Sequence, residues 1–206
     1  MNENIKTAAK LAAFAGAFAL TGCAFVPYDV HPTYNLPANV VKVPGADKVV
    51  VDVDVKDEKK HRKQVSYVVD AYGIETATVS MHVSRDFKSA IESALKVRGY
   101  NVSPSGDTKL VVVVKKFFFK PIAGILTGSE KGSAVLLVSV INAKGHKTYS
   151  TEVDQNYKES GLFLEDHGET ARRLMNDSIN KLFSNRYFIT ALSAVKEVSI
   201  PKINVH

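Results

Sequence analysis

The single cysteine of this chain lies where its thiol can be modified covalently. Cys23 closes the tetrapeptide Leu20-Thr21-Gly22-Cys23, directly after the apolar run LAAFAGAFAL. Lys6 and Lys10 precede that run, which at ten residues is too short to cross roughly 30 Å of hydrocarbon as a helix. The small residues Thr21 and Gly22 give a peptidase access to the cysteine. The pattern predicts a bacterial lipoprotein signal at residues 1–22, recognised at Leu20, Thr21 and Gly22, with diacylglyceryl on the Cys23 sulfur and an acyl chain such as palmitate on its amino group.

The other residue types that do chemistry lack the spacing that chemistry needs. The six histidines show no i, i+4 pair typical of metal ligands. Asp52 and Asp54 share one predicted strand face, but neighbouring lysines can neutralise them. The run GSEKG at 128–132 is not a Gly-x-Ser-x-Gly elbow and is interpreted as a hairpin tip. We therefore predict no catalytic residues, no metal and no cofactor beyond the lipid on Cys23.

A predicted helix near residue 165 carries the best residues for an acid–base reaction. Glu165, Asp166, His167 and Glu169 follow one another there. Acidic residues at a helix N-terminus are favoured by the helix dipole alone. A hydrolase is therefore a minor hypothesis, and we predict that the protein is not an enzyme.

The segment 117–127, FFFKPIAGILT, is unusually apolar for the end of a strand. Pro121 is expected to stop the strand ladder, which leaves apolar residues in a connection that is normally polar. One interpretation is an exposed loop that contacts a partner protein or a membrane; the other is that the segment folds back over a sheet edge. The candidate contact residues are Phe117, Phe118, Phe119, Ile122, Ile125 and Leu126.

A basic run, KKHRK at 59–63, offers a second candidate surface. Lys59, Lys60, Arg62 and Lys63 could bind anionic lipid or polymer, whereas the simpler interpretation is a solvated loop.

Composition sets the class of protein. Removing residues 1–22 leaves enough chain for one domain with a sizeable core and a net charge of about +5. No second apolar stretch is long enough for a transmembrane helix, and a lone cysteine forms no intrachain disulfide. Nucleic acid is not an expected partner in this compartment.

Hydrophobic periodicity predicts an α+β fold. Residues 48–56, 65–70, 74–83, 134–141 and 146–157 are predicted strands, and residues 110–114 continue to 119 as a strand buried on both faces. Helices are predicted from Ser84, as the N-cap, to Gly99, from Glu165 or Asp166 onward, and at 186–195. Asn142 to Gly145 is a predicted hairpin turn. The order favours a mixed, largely antiparallel sheet with two main helices on one face.

Prolines mark the domain boundaries. Pro27, Pro32, Pro37 and Pro44 recur between the cysteine and the first strand. The predicted organisation is a lipidated tether at 23–46, one periplasmic domain at 47–197 and a tail at 198–206. The tether is either a stiff spacer or a segment that lies over the domain surface.

Four features together resemble the YajG-like family of bacterial lipoproteins. They are the Leu20–Cys23 signal, the proline-rich tether, the helix between Ser84-Arg85-Asp86 and Arg98-Gly99-Tyr100, and the strand pair around residues 142–145. The resemblance covers about residues 45–185. It implies a lipoprotein of the outer membrane with an α+β periplasmic domain and no assigned chemistry.

Two functions remain open at this point. The first is a non-enzymatic accessory, assembly or scaffold lipoprotein at the periplasmic face of the outer membrane, held there by its lipid and bound to an envelope protein. The second is a lipid- or amphiphile-binding auxiliary lipoprotein of an envelope transport system. The sequence indicates neither the partner nor the oligomeric state.

Overall fold

A computed structural model describes residues 27–70, 72–122, 128–161 and 166–194. The predicted lipidation signal (Leu20, Thr21, Gly22 and Cys23), the contact candidates Ile125 and Leu126, and the tail at 198–206 lie outside the described residues. The elements are β1 (Tyr28–Val30), a short 3₁₀ helix (Ala46–Lys48), β2 (Val50–Asp57), β3 (Gln64–Val69), β4 (Glu75–Met81), α1 (Val83–Val97), β5 (Asn101–Val102), β6 (Thr108–Ile122), β7 (Gly128–Ile141), β8 (Lys147–Gly161), α2 (His167–Phe183) and α3 (Arg186–Ser193).

The strands form two mixed sheets, which confirms the predicted α+β class. The larger sheet has the order β5-β2-β6-β7-β8, in which β2 is parallel to β5 and β6 while β6, β7 and β8 are antiparallel. The smaller sheet has the order β1-β4-β3, with β1 parallel and β3 antiparallel to β4.

The core lies on one face of the larger sheet. Leu110, Val112 and Val114 of β6 are fully buried there with the apolar residues of α1 and α2, whereas Val111 and Val113 are only half-buried. The expectation that residues 110–114 are buried on both faces is therefore wrong. An uninterrupted apolar strand can still have one face that no helix covers.

The aromatic segment continues β6 instead of leaving the sheet. An irregularity between Val114 and Lys116 precedes it, after which Phe117 and Phe119 point into the core. Contrary to expectation, the ladder runs through Pro121 to Ile122. Backbone groups alternate along a strand, so Pro121 is directed away from β7 and its missing N–H removes no ladder bond.

Two further local expectations are wrong. The run at 128–132 is the start of β7 and not a hairpin tip, and Glu130 within it is only 2% exposed. Helix α1 begins at Val83 after His82, so Ser84 is not its N-cap. In contrast, Asp166 caps α2 by accepting the Gly168 N–H at 2.6 Å, and Gly145 has the left-handed φ of 78° that its turn requires.

The segment before β2 lies against the domain, as in the second alternative for the predicted tether. β1 pairs with β4, and Tyr34 donates a hydrogen bond of 2.6 Å to Asn180 on α2. Farther along, the Val43 N–H bonds to the Arg98 carbonyl at 2.9 Å, and Ala46 is fully buried.

Candidate functional site

The basic run forms the connection between β2 and β3, but not all of it is available to a ligand. Lys59 folds back so that its Nζ lies 2.8 Å from Asp57 Oδ2, and its side chain is only 5% exposed. Lys59 is therefore wrong as a contact for an anionic surface, because its charge is already neutralised and buried.

Lys60, Arg62 and Lys63 remain exposed. Among the described residues, no ion pair includes any of these three side chains. The nearest acid of the connection, Glu58, instead accepts a hydrogen bond of 2.5 Å from Lys115. That bond and the charge of Lys115 lower the pKa of Glu58. Lys60, Arg62 and Lys63 therefore face solvent, while Glu58, whose pKa the charge of Arg62 also lowers, is bound to Lys115.

The basic connection lies beside the N-terminal end of the described chain. The Met81 N–H donates to the Lys63 carbonyl at 2.8 Å, which holds the connection to β4, and β1 pairs with the same strand. Pro27 and Lys63 line one surface pocket of about 230 Å³ together with Asp29, Ser80, Met81 and His82. We call Pro27 and residues 60–63 the anchor-proximal surface, because Pro27 is four residues from Cys23, the residue at which the sequence predicts a lipid anchor.

A polar network holds the N-terminal segment on helix α1. One guanidinium nitrogen of Arg85 lies 3.0 Å from His31 Nδ1, and its Nε donates to Asp86 Oδ1 at 2.8 Å. The charge-assisted bond to Asp86 raises the pKa of Arg85. With the Tyr34–Asn180 bond, this network holds residues 31–34 on the domain.

A second candidate surface is the face of the larger sheet opposite the helices. Val111 and Val113 of β6 lie beside Val135 and Leu137 of β7, and all four side chains are half-buried. We call these four residues the open-face patch. Charged residues frame it on both sides: Lys109, 3.8 Å from both Asp52 and Asp54, lies on one side, and Glu152 and Asp154 lie on the other. An apolar centre with a charged rim is typical of a protein-binding surface.

The predicted aromatic contact residues divide between core and surface. Phe117 packs edge-on against Phe87, with ring centroids 5.2 Å apart, and Phe119 is fully buried. These two are corrected from contact to core residues, because the helix-facing side of β6 holds them. Phe118 points to the other face of β6, and its ring centroid lies 5.9 Å from that of Tyr67. Ile122 is 36% exposed.

The residues considered for acid–base chemistry point to different partners. Glu169 forms an ion pair with Arg172, which lowers the pKa of Glu169. His167 lies against the rings of Tyr28 and Phe119, and burial lowers its pKa. Within the described ranges, no group of three or more acidic, histidine or cysteine side chains could hold a metal ion.

Two features of the site were missed in the sequence. The half-exposed face of β6 and β7 is hidden because residues 110–114 of β6 and 134–138 of β7 are apolar at every position, so period two is not visible there. The pocket that Pro27 and Lys63 share depends on β1 pairing with β4 across some 50 residues, and no local pattern signals it. A three-residue strand is also too short to recognise.

Comparison with known proteins identifies the class. The family model described as "uncharacterized lipoprotein" (Lipoprotein_16) matches residues 37–187, and the chain therefore belongs to that family. This confirms the resemblance to a lipoprotein family that the sequence indicated. A search of curated proteins gives no match. Among the described residues, no helix is long and apolar enough to cross a membrane.

Several solved structures are similar to this chain at low sequence identity. A Xanthomonas campestris protein of the DUF330 family is 12% identical, with a TM-score of 0.50, over 82% of this chain and 96% of that one. A putative neuraminyllactose-binding hemagglutinin homolog from Helicobacter pylori is 13% identical over 79% and 98%, with a TM-score of 0.43. The Neisseria meningitidis lipoprotein GNA1162 is 11% identical over 66% and 98%, with a TM-score of 0.36.

Proposed function

We propose that this protein is a non-enzymatic accessory lipoprotein at the periplasmic face of the outer membrane, where lipid on Cys23 holds its domain close to the bilayer. The observation that carries the proposal is the position of Pro27. Four residues of chain span at most about 14 Å, so an anchor at Cys23 leaves Pro27 no farther than that from the lipidated residue. The domain then lies at the membrane, and a long spacer does not lift it away.

The charges of the anchor-proximal surface support this orientation. Lys60, Arg62 and Lys63 are exposed and lie on the side of the domain where the anchor would enter. Basic residues at an anionic membrane surface contribute about 1 kcal/mol each, and a lipid chain combined with a basic patch anchors more firmly than either alone. The basic residues of the anchor-proximal surface would therefore add to the membrane affinity that the lipid provides, and would limit rotation of the domain.

The open-face patch is the surface that we assign to an envelope protein. Val111, Val113, Val135 and Leu137 form an apolar centre, and the acids Glu152 and Asp154 beside it favour a partner with apolar and basic side chains. A photocrosslinker at Ser139, which pairs with Val111, should give a protein adduct in cells, and the same probe at exposed Lys96 on α1 should not. Absence of a protein adduct at Ser139, or the same adduct at both positions, would refute this assignment.

The alternative of an amphiphile-binding protein has less support. It was based on an exposed apolar segment after residue 116, but Phe117 and Phe119 fill the core. The pocket lined by Pro27 and Lys63 and a second one of about 340 Å³ lined by His31, Tyr34 and Arg85 both lie at the N-terminal segment, and neither is lined by these aromatics.

Labelling and fractionation test the anchor and the compartment together. Cells fed radiolabelled palmitate should yield a labelled wild-type protein in the outer-membrane fraction, and Cys23→Ser should remain unlabelled. A wild-type protein without label would refute lipidation of Cys23. A labelled protein in the inner-membrane fraction would contradict the proposed location.

A further inference from the structure

Strand β8 is the edge of the larger sheet, and its outer side has no strand partner among the described residues. It is 15 residues long and contains no proline. An edge strand presents unpaired N–H and C=O groups with which another chain can pair, and the charges along the edge decide which pairing is favourable.

The backbone groups that face outward from β8 follow from the sheet register. The Glu58 N–H donates to the Val114 carbonyl, so the backbone N–H and C=O of Val114 point towards β2. Because these groups alternate along a strand, those of Val113 point towards β7. Val113 pairs with Leu137, so the backbone groups of Leu137 point back towards β6. Leu137 also pairs with Glu152 on β8, whose backbone groups therefore point away from β7, to the outer edge of the sheet. Lys181 Nζ contacts the Asp154 carbonyl at 2.5 Å from outside the sheet, which gives the same parity independently. The outward residues, all exposed, are Ser150, Glu152, Asp154, Asn156, Lys158 and Ser160.

This edge is complementary in charge to itself. Two antiparallel β8 strands related by a two-fold axis at Gln155 set Asp154 opposite Asn156, Glu152 opposite Lys158 and Ser150 opposite Ser160. Each pair occurs twice, and directly opposite unlike charges stabilise a strand pair. A shift by one pair towards the N-terminus sets Glu152 opposite Asp154, which is repulsive. Among the described residues, the lysine that contacts an outward carbonyl is Lys181, and its side chain is exposed, so a pairing strand can displace it.

We propose that β8 is a self-association edge, at which two copies of this chain pair antiparallel about Gln155 to form one continuous ten-stranded sheet. This proposal goes beyond the proposed function, because strand pairing needs neither the lipid nor the outer membrane; only its disulfide test uses the lipid, which blocks the Cys23 thiol.

A disulfide test addresses the proposed register directly. In the paired strands the two Gln155 residues form a non-hydrogen-bonded pair, with Cα atoms about 4.5 Å apart, within the range of a disulfide. Because Cys23 is the only native cysteine, and lipid occupies its sulfur in the account above, Gln155→Cys adds one reactive thiol. Membranes from cells that produce the full chain, treated with a thiol oxidant, should give a dimer band that reductant removes.

The matched control is Thr151→Cys, on the same face of the same strand and also half-buried. In the proposed register the two copies of residue 151 lie roughly 26 Å apart, so this variant should stay monomeric. A dimer from Thr151→Cys, or none from Gln155→Cys, would overturn the proposal. An adduct of Gln155→Cys with a different protein would do so as well.

Charge reversal separates specific pairing from chance collision. In the Gln155→Cys chain, Glu152→Lys sets lysine opposite lysine twice and should lower the dimer fraction about tenfold. Adding Lys158→Glu should restore it, since both changes are at exposed positions. An equal dimer fraction in all three chains would contradict the register. The reduced chains should be recovered in equal amounts, which excludes misfolding as the cause.

Discussion

Thr170 and Glu130 meet inside the core. The Thr170 hydroxyl on α2 donates a 2.6 Å hydrogen bond to the Glu130 carboxylate on β7, and the two side chains are 0% and 2% exposed. This bond joins the start of the second long helix to a strand segment that the sequence placed at a hairpin tip. A buried carboxylate depends on its donors because water cannot replace them.

Thr170→Val should therefore destabilise the protein by about 1–3 kcal/mol, since it keeps the side-chain shape and removes a donor from Glu130. Urea unfolding of the purified protein measures the loss. Thr78→Val, the same change at an exposed position on β4, should alter stability by less than about 0.5 kcal/mol. Equal effects of the two substitutions would show that the Thr170 hydroxyl contributes nothing at this contact.

The aromatic segment supplies a test of which face each ring occupies. Phe117→Ala should cost about 3–5 kcal/mol, because it leaves a cavity beside Phe87. Phe118→Ala should cost clearly less, since its half-buried ring contacts mainly Tyr67 from outside the helix-covered core. Urea unfolding measures both losses of free energy of unfolding. A larger loss for Phe118→Ala than for Phe117→Ala would reverse the two assignments.

His167 should make the fold sensitive to mild acid. Burial lowers its pKa below the ordinary value of 6.5, so the unfolded chain binds a proton more readily than the folded one. The stabilisation of the neutral form is complete above pH 6.5 and is lost as the pH falls from there towards the folded-state pKa. His167→Phe should flatten this part of the stability–pH curve, measured by urea unfolding from pH 7.5 to 5. An unchanged slope would assign the acid sensitivity to other groups.

The hydrogen bond from Tyr34 to Asn180 should hold the N-terminal segment on α2. Tyr34→Phe removes only the hydroxyl and should cost about 1 kcal/mol, with faster proteolysis within residues 31–43. Tyr72→Phe is the matched control, because Tyr72 is 90% exposed. If Tyr34→Phe left both stability and cleavage unchanged, the segment would not depend on this bond.

Local chemistry in the sequence was enough to predict most of the fold. Period two and helical spacing gave the strands and both long helices, and Asn142 with Gly145 gave the turn. The failures share one physical cause, which is that tertiary context decides between equivalent local patterns. Pro121 is tolerated because its backbone is directed away from β7, and Glu130 is buried because Thr170 meets it. Thr170 is 40 residues from Glu130 in the sequence, so no local pattern signals that contact.

The candidate site was less accessible to prediction. Lys60, Arg62 and Lys63 were found from the charge run, but Lys59 could not be separated from them without seeing Asp57 beside it. The position of Pro27 next to Lys63 came only from the pairing of β1 with β4. That pairing brings the basic run to the same pocket as Pro27, which is four residues after the predicted lipidation site.

The most direct test of membrane apposition is photocrosslinking of the full chain in cells with the probe at Lys60. The control is Lys144, in the turn at the opposite end of the sheet: β2 starts near the β7–β8 hairpin and ends at the basic connection. We predict lipid adducts, detected by mass spectrometry, at residue 60 and none at residue 144. Equal lipid labelling at both positions, or none at residue 60, would contradict a domain held against the membrane by its anchor-proximal surface.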